Sequence, residues 1–204
     1  IWGLLIVLFI AMVVVSQFML TFGSDPNAKV TKKSKSPLSF HPIALIFGLL
    51  SFVSYLVEGA VGDWSALYLF EDKGIVIEEA VMGVMLFNGT MCIGRLLGNR
   101  LGKHLTSKQV VVGGYLLGSI AMGLIVFLPG HASMYTYLLL GISLAMIVPN
   151  LFSAMGEQNV IPMTQAVATS TMLGYMGILM GPALIGFIAH GTSLTVAFIV
   201  LTIL

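Results

Sequence analysis

An acidic side chain lies inside one of the long apolar stretches of the sequence. Glu58 follows an uncharged run, and Asp63 comes shortly after it, beyond a GAVG segment. An ionisable group at membrane depth costs roughly 2.5–3.5 kcal/mol on insertion scales, so such a group is by default a functional candidate. A carboxyl group there ionises when water reaches it and is neutral when it is desolvated. Glu58 and Asp63 are therefore candidate proton-coupling residues. The alternative for Glu58 is a neutral side chain that only makes a structural hydrogen bond.

The composition predicts a membrane protein. The 204 residues are 58% hydrophobic and 8% charged, whereas a soluble domain carries about 25% charged residues. The apolar stretches are continuous rather than alternating, which excludes a closed β-barrel. The net charge of +1 gives no indication of a nucleic-acid partner. With one cysteine and no CxxC or HExxH spacing, the sequence predicts no internal disulfide, no metal site and no cofactor.

Six apolar stretches are long enough to cross a bilayer, which takes about 20 residues per helix. They cover residues 1–22, 41–69, 80–98, 109–128, 133–155 and 165–189, and a shorter stretch covers 193–204. The sequence therefore predicts an all-α polytopic membrane protein. We expect the second stretch to break near residues 59–62, the fifth at Pro149, and the sixth at its glycines and Pro182. Ordinary close packing of helices is the alternative for the glycine run of the sixth stretch. Because both ends of the sequence lie inside apolar stretches, we also expect a fragment of a longer protein.

The basic residues predict the orientation in the membrane. Apart from Lys73, they all lie in or beside the loops 24–40 and 99–108. Cytoplasmic loops are enriched in Lys and Arg, so both loops are predicted to be cytoplasmic. The loop 156–163 must then also be cytoplasmic, although it contains no Lys or Arg.

Four of the predicted helices carry polar residues at helical spacing, which is typical of faces that line a bundle interior or a watery cavity. The positions are Ser51, Tyr55, Glu58, Gly62 and Ser65 in the second stretch; Asn88, Cys92, Arg95 and Asn99 in the third; Ser143, Asn150, Ser153 and Glu157 in the fifth; and Thr164, Thr171 and Tyr175 in the sixth. The stretches 1–22 and 109–128 have few such residues, so we expect them to shield the others from lipid.

Depth in the membrane narrows the choice of site residues. At 1.5 Å per residue, Asn88 and Tyr175 lie near the midplane, where a polar solute would bind. Together with Tyr55, Glu58 and Asn150 they are the candidate substrate-pathway residues. The same count separates Glu58 from Arg95 by roughly 18 Å along the membrane normal. We therefore expect no ion pair between these two, and we expect Arg95 to extend to the inner interface.

The segment GNRLGKH at residues 98–104 resembles a loop motif of the major facilitator superfamily (MFS). In that family the motif is a cytoplasmic Gly, an acid, Arg, any residue, Gly and then basic residues. Arg100, Gly102 and Lys103 match it, while Asn99 stands in place of the usual Asp and the upstream glycine falls one position early, at Gly94. The resemblance implies that Asn99, Arg100, Gly102 and Lys103 form a gating loop.

The order of lining and shielding helices is similar to that of the C-terminal half of an MFS transporter. On that register, residues 1–23 resemble helix 6, residues 24–40 the cytoplasmic loop between the halves, and residues 41–204 a C-terminal bundle whose last helix is truncated. The segment EGAVGDWSALYL resembles the sugar-permease-related and uncharacterised bacterial inner-membrane branch of the family.

The resemblance implies secondary active transport by alternating access across the inner (plasma) membrane. Its substrate would be a small polar solute such as a sugar or a related metabolite, with proton coupling, and its partners the lipid bilayer and a missing N-terminal half. A non-transporting membrane receptor or scaffold with the same fold is the alternative. We do not expect an enzyme, because no histidine lies inside an apolar stretch to act as a base at membrane depth.

Overall fold

The computed structural model describes residue 38 and the ranges 40–101 and 105–204, with residues 99–101 described by their backbone alone. Across these residues the secondary structure is helical and contains no strand. The helices are α1 (Pro42–Glu71), α2 (Ile77–Leu101), α3 (Ser107–Phe127), α4 (Gly130–Tyr135), α5 (Tyr137–Ala145), α6 (Ile147–Glu157), α7 (Met163–Gly191) and α8 (Leu194–Ile203). The predicted all-α fold is confirmed. The helix predicted at 1–23 and nearly all of the loop 24–40 lie outside the described residues.

Five stretches of the described chain are long and apolar enough to cross a membrane. They are Pro42–Glu71, Ile77–Gly98, Ser107–Phe127, Gly130–Glu157 and Met163–Gly191. Each corresponds to one of the apolar stretches predicted from the sequence, so the chain is a multi-pass membrane protein. The shorter helix α8 corresponds to the stretch predicted at 193–204.

Two of the predicted helix breaks are wrong. Helix α1 runs without interruption through residues 59–62, and α7 continues through Pro182. A Cβ atom on Gly59 would lie 2.7 Å from the carbonyl oxygen of Ile178, so this glycine allows α7 to approach rather than breaking α1. In an apolar surrounding, an opened turn would leave backbone groups without partners, which favours the continuous helix.

The break predicted at Pro149 is confirmed, and it divides the fourth membrane-spanning stretch into segments. Helix α5 ends at Ala145, and α6 begins at Ile147, two residues before Pro149. Proline has no N–H to donate to the carbonyl four residues earlier, but it is tolerated in the first turn of a helix. A second interruption, at Thr136 between α4 and α5, was not predicted.

Helices α1 and α7 pack closely through the glycines of α7. A Cβ atom on Gly174 would lie 2.6 Å from the Tyr55 ring, and Cβ atoms on Gly177 and Gly181 would meet the carbonyl oxygens of Phe52 and Leu56. Small residues at four-residue spacing allow this approach of two backbones in a membrane. The glycine run of α7 therefore serves close packing, which was the alternative to a broken helix.

Helix α3 is hydrogen-bonded to α1 and α8 through its few polar side chains. The Tyr115 hydroxyl donates to the backbone carbonyl of Leu50 in α1, and the Ser119 hydroxyl donates to the carbonyl of Thr202 in α8 at 2.7 Å. Leu116, on the same helix, has 63% of its surface exposed. These contacts give the polar residues of α3 a structural role, in agreement with the predicted shielding helix.

Hydrogen bonds at the two ends of the bundle show which loops share a side. At one end, the Ser107 hydroxyl at the start of α3 donates to Glu157 at the end of α6 at 2.8 Å. At the other end, the Lys73 ammonium donates to the carbonyls of Val126 and Leu128 at 2.6 and 2.9 Å. Burial lowers the pKa of Lys73, and the nearby Asp72 carboxylate partly offsets that shift. The loop 156–163 is thus at the same end as the start of α3, as the sequence predicted.

We expect Lys108 to face the cytoplasm and Glu71 to face the opposite side. Both side chains are exposed, whereas Ser107 is buried and hydrogen-bonded and would report poorly. Single cysteines are introduced at Ser34, Lys108 and Glu71 in a Cys92→Ser background. Each variant is treated with an impermeant maleimide from one side of the membrane at a time, and Glu71→Cys should react only from the outer side. Ser34→Cys and Lys108→Cys should react only from the cytoplasmic side. Reaction of these two from opposite sides would overturn the topology.

Candidate functional site

Three helices bring four polar or charged side chains together at membrane depth. Tyr55 and Glu58 lie one turn apart on α1, Arg95 lies on α2, and Tyr175 lies on α7. Nη2 of Arg95 is 3.3 Å from Oε2 and 3.5 Å from Oε1 of Glu58. The side chains of Arg95 and Glu58 are 43% and 23% exposed, so the pair is open on one side. We call these four residues the polar cluster.

The ion pair contradicts the sequence-based expectation that Glu58 and Arg95 are too far apart to meet. The depth count assumed a slab of fixed thickness and measured the two residues from opposite faces. Measured from the turn that joins α1 to α2, Glu58 lies about 20 Å and Arg95 about 27 Å along their helices. A long arginine side chain spans that difference of about 7 Å, so Arg95 turns toward Glu58 rather than to the interface.

The two tyrosines of the polar cluster form a parallel pair. Their ring centroids are 6.2 Å apart, and the ring planes differ by 6°. Tyr175 is 61% exposed, while Tyr55 is half-buried against Gly174 of α7. Because a Cβ atom at residue 174 would overlap the Tyr55 ring, this glycine makes room for the pair. The sequence predicted each tyrosine as a pathway residue but did not predict that they meet.

The other predicted pathway residues do not join the cluster. The amide of Asn88 is exposed and donates to the carbonyl of Val84 in its own helix at 3.0 Å. The amide of Asn150 donates to the carbonyl of Met146 at 2.8 Å, at the turn before α6. Both amides therefore satisfy their own helices. Asn88 precedes Arg95 by about two helical turns, so both lie on the same side of α2.

The second candidate proton-coupling residue and the predicted gating loop contribute no described contact to the site. Asp63 is exposed on α1 and makes no hydrogen bond or ion pair within the described ranges. Asn99 and Arg100 lie in the last turns of α2, but the structure describes only their backbone. Gly102 and Lys103 lie outside the described residues. The structure describes no group of three or more His, Cys, Asp or Glu side chains that could hold a metal ion.

Similar proteins were found by sequence comparison, although no family model matches the chain. An uncharacterised MFS-type transporter of Yersinia pestis is 42% identical over 157 residues, which cover 76% of this chain and 40% of that protein. The chain is a relative of MFS-type transporters. The predicted resemblance to the major facilitator superfamily is thereby confirmed, and the helices described above are part of a fold of that kind.

Two further relatives are more distant. The membrane protein MosC of Rhizobium meliloti is 31% identical over 151 residues, which cover 74% of this chain and 37% of that protein. An uncharacterised transporter of Sinorhizobium fredii, y4wD, is 28% identical over 159 residues, which cover 76% of this chain and 41% of that protein. The chain thus matches about two fifths of the length of each of these three relatives.

Proposed function

We propose that the chain is the C-terminal half of a secondary active transporter that moves a small polar solute across the inner (plasma) membrane by alternating access. The observation that carries the proposal is the half-exposed Glu58–Arg95 ion pair on helices α1 and α2. Charged side chains within a membrane typically face a bundle interior or a water-filled cavity and mark pathways. The transporter names of two relatives support the same function.

An N-terminal half would supply the opposite wall of the pathway. Large apolar side chains are exposed beside the polar cluster, with Leu96 77% and Leu179 76% accessible. A second bundle packed against α2 and α7 would cover these residues and leave the cluster facing a central cavity. The match to about two fifths of the Yersinia pestis MFS-type transporter supports such a second half.

Proton coupling would act through Glu58. When the pathway is open, water reaches the carboxyl group and the ionised form pairs with Arg95. When the pathway closes, Glu58 separates from Arg95 and carries a proton in place of the ion pair. A ligand can shift an equilibrium between two conformations only through a difference in its affinity for them. Proton binding at Glu58 differs between the two states and can therefore drive the conformational change.

The solute class follows from the side chains of the cluster. Two tyrosine rings with hydroxyl groups provide apolar faces and polar tips, which suit a sugar or a related metabolite. Asn88, about two turns from Arg95 on the same side of α2, adds an amide toward the midplane. Asn150 remains a candidate for a further contact along the pathway, and Asp63 is the alternative candidate for proton coupling.

Transport should require both halves of the protein. In proteoliposomes with an imposed proton gradient, the full-length protein should accumulate at least one member of a panel of labelled sugars, sugar acids and amino acids. The 204-residue chain alone should accumulate none, because half of the pathway wall is absent. Accumulation by the 204-residue chain alone would contradict the requirement for both halves. Binding without any accumulation by the full-length protein would favour the receptor or scaffold alternative.

A further inference from the structure

The arginine of the polar cluster uses only part of its hydrogen-bonding capacity. A guanidinium group carries five N–H donors in a planar fork. In the described residues Arg95 donates from Nη2 alone, at 3.3 and 3.5 Å to the two oxygens of Glu58. Charge-assisted bonds between a nitrogen cation and an oxygen anion are usually about 2.7–2.9 Å long. The contact is therefore long and uses only one nitrogen of the guanidinium. The other N–H donors of Arg95 are available to a ligand.

We propose that Arg95 is the binding site for the carboxylate of a small organic acid, which takes the place of Glu58 on the guanidinium. This inference rests on the proposed transport function and specifies its substrate class. A planar carboxylate matches the arginine fork with two parallel hydrogen bonds. Arg95 is the more exposed partner of the pair, so an incoming anion can reach its guanidinium and then displace Glu58.

The charge balance of the cluster favours a monoanion. Arg95 and Glu58 together carry no net charge when both are ionised. A bound carboxylate would leave one excess negative charge, which is costly at membrane depth unless it is neutralised. A proton taken up from water by the released Glu58 carboxylate removes that excess. Among the described residues, the ionisable groups near Glu58 are Arg95 on α2 and Tyr55 on its own helix. Tyr175 on α7 lies against Tyr55.

The stoichiometry follows from this exchange. One carboxylate binds, Glu58 leaves Arg95, and one proton joins Glu58, so the cluster stays neutral throughout. A doubly charged phosphate ester would leave one charge without a partner and is therefore disfavoured. Symport of one proton with one monocarboxylate would be electroneutral. The parallel rings of Tyr55 and Tyr175 would contact the remainder of the acid, either its hydroxyl groups or a ring face.

The first experiment measures the thermal stability of the purified full-length protein with a panel of monocarboxylates, each beside its neutral amide. The panel includes gluconate with gluconamide, benzoate with benzamide, and lactate with lactamide. At least one acid should raise Tm while its amide does not, and Arg95→Gln should abolish that shift. Lys108→Gln, which removes an exposed positive charge at the start of α3, should keep it. Equal shifts by acid and amide, no shift by any acid, or an unchanged shift in Arg95→Gln would overturn the inference.

A second variant separates ligand binding from a structural role of the arginine. Glu58→Gln removes the competing carboxylate but keeps the shape of the side chain. The acid found in the first experiment should bind this variant about tenfold more tightly at neutral pH, which corresponds to about 1.4 kcal/mol. A structural arginine would give unchanged or weaker binding, and either result would overturn the exchange.

The outcome also distinguishes this inference from the proposed function. Gradient-driven accumulation of a neutral sugar, with no competition by any acid of the panel, would overturn the anion site and leave transport intact. Arg95-dependent binding of an acid without uptake in proteoliposomes would support the anion site and contradict transport.

Discussion

Glu58→Gln in the full-length protein should abolish accumulation driven by a proton gradient while exchange of solute across the membrane survives. Glutamine keeps the length and the hydrogen-bonding capacity of the side chain but cannot bind or release a proton. The loss of accumulation should be complete within error, because a carrier without coupling can only equilibrate its solute. The measurement compares uptake into proteoliposomes with and without a proton gradient, and it adds a counterflow assay for exchange.

Asp63→Asn is the matched control for that substitution. Asp63 lies on the same helix as Glu58, it is exposed, and within the described ranges it has no ion-pair partner. This variant should accumulate solute with the wild-type pH profile. If instead Asp63→Asn loses accumulation and Glu58→Gln keeps it, the coupling residue is Asp63, and Glu58 has a structural role.

Gly177→Val should prevent the bundle from folding. The added side chain would place Cβ against the carbonyl oxygen of Phe52 in α1, and the peptide carbon and nitrogen nearby belong to the backbone and cannot rotate away. Overpacking of a core by flexible side chains costs roughly 1–3 kcal/mol, and a collision with backbone exceeds that range. We expect little monodisperse protein after detergent extraction, measured by size-exclusion chromatography with fluorescence detection.

Gly113→Val tests whether the effect belongs to the site or to the substitution. A Cβ atom on Gly113 meets nothing within 4 Å on the exposed side of α3. This variant should elute like wild type with an unchanged Tm. If Gly177→Val elutes like wild type as well, the close packing of α1 on α7 is wrong.

The helices could be predicted from the sequence because the bilayer fixes their length. An apolar run of about 20 residues has few alternatives to a membrane-spanning helix, so the stretches predicted within the described residues matched the structure. Breaks were harder to predict. Pro149 removes a backbone N–H donor from its helix in any surroundings. The effect of the glycine at residue 59 depends instead on whether a neighbouring helix packs against it. Helix α7 does pack there, and the order of the helices in sequence does not reveal that contact.

The members of the candidate site could be predicted, but their arrangement could not. Tyr55, Glu58 and Tyr175 were recognised because polar residues are rare at membrane depth. Arg95 was predicted to lie at the interface because its depth was counted from the outer face of the membrane and that of Glu58 from the inner face. Errors in membrane thickness and in helix length then add up in the difference between the two depths. A count from the shared turn between α1 and α2 would have found the ion pair. The tyrosine pair depends on the contact between α1 and α7, which no sequence spacing encodes.

Water access to Cys92 tests most directly whether the polar cluster lines a pathway. Cys92 is the only cysteine of the 204 residues, it is exposed, and it lies about one turn before Arg95 on α2. In the full-length protein without other cysteines, Cys92 should react readily with a charged, water-soluble methanethiosulfonate reagent. A cysteine placed at Leu116 on the exposed side of α3, in a Cys92→Ser background, should face lipid and stay unreactive. Reaction at Leu116→Cys but not at Cys92 would show that the water-filled side of the bundle is not the side that carries the Glu58–Arg95 pair.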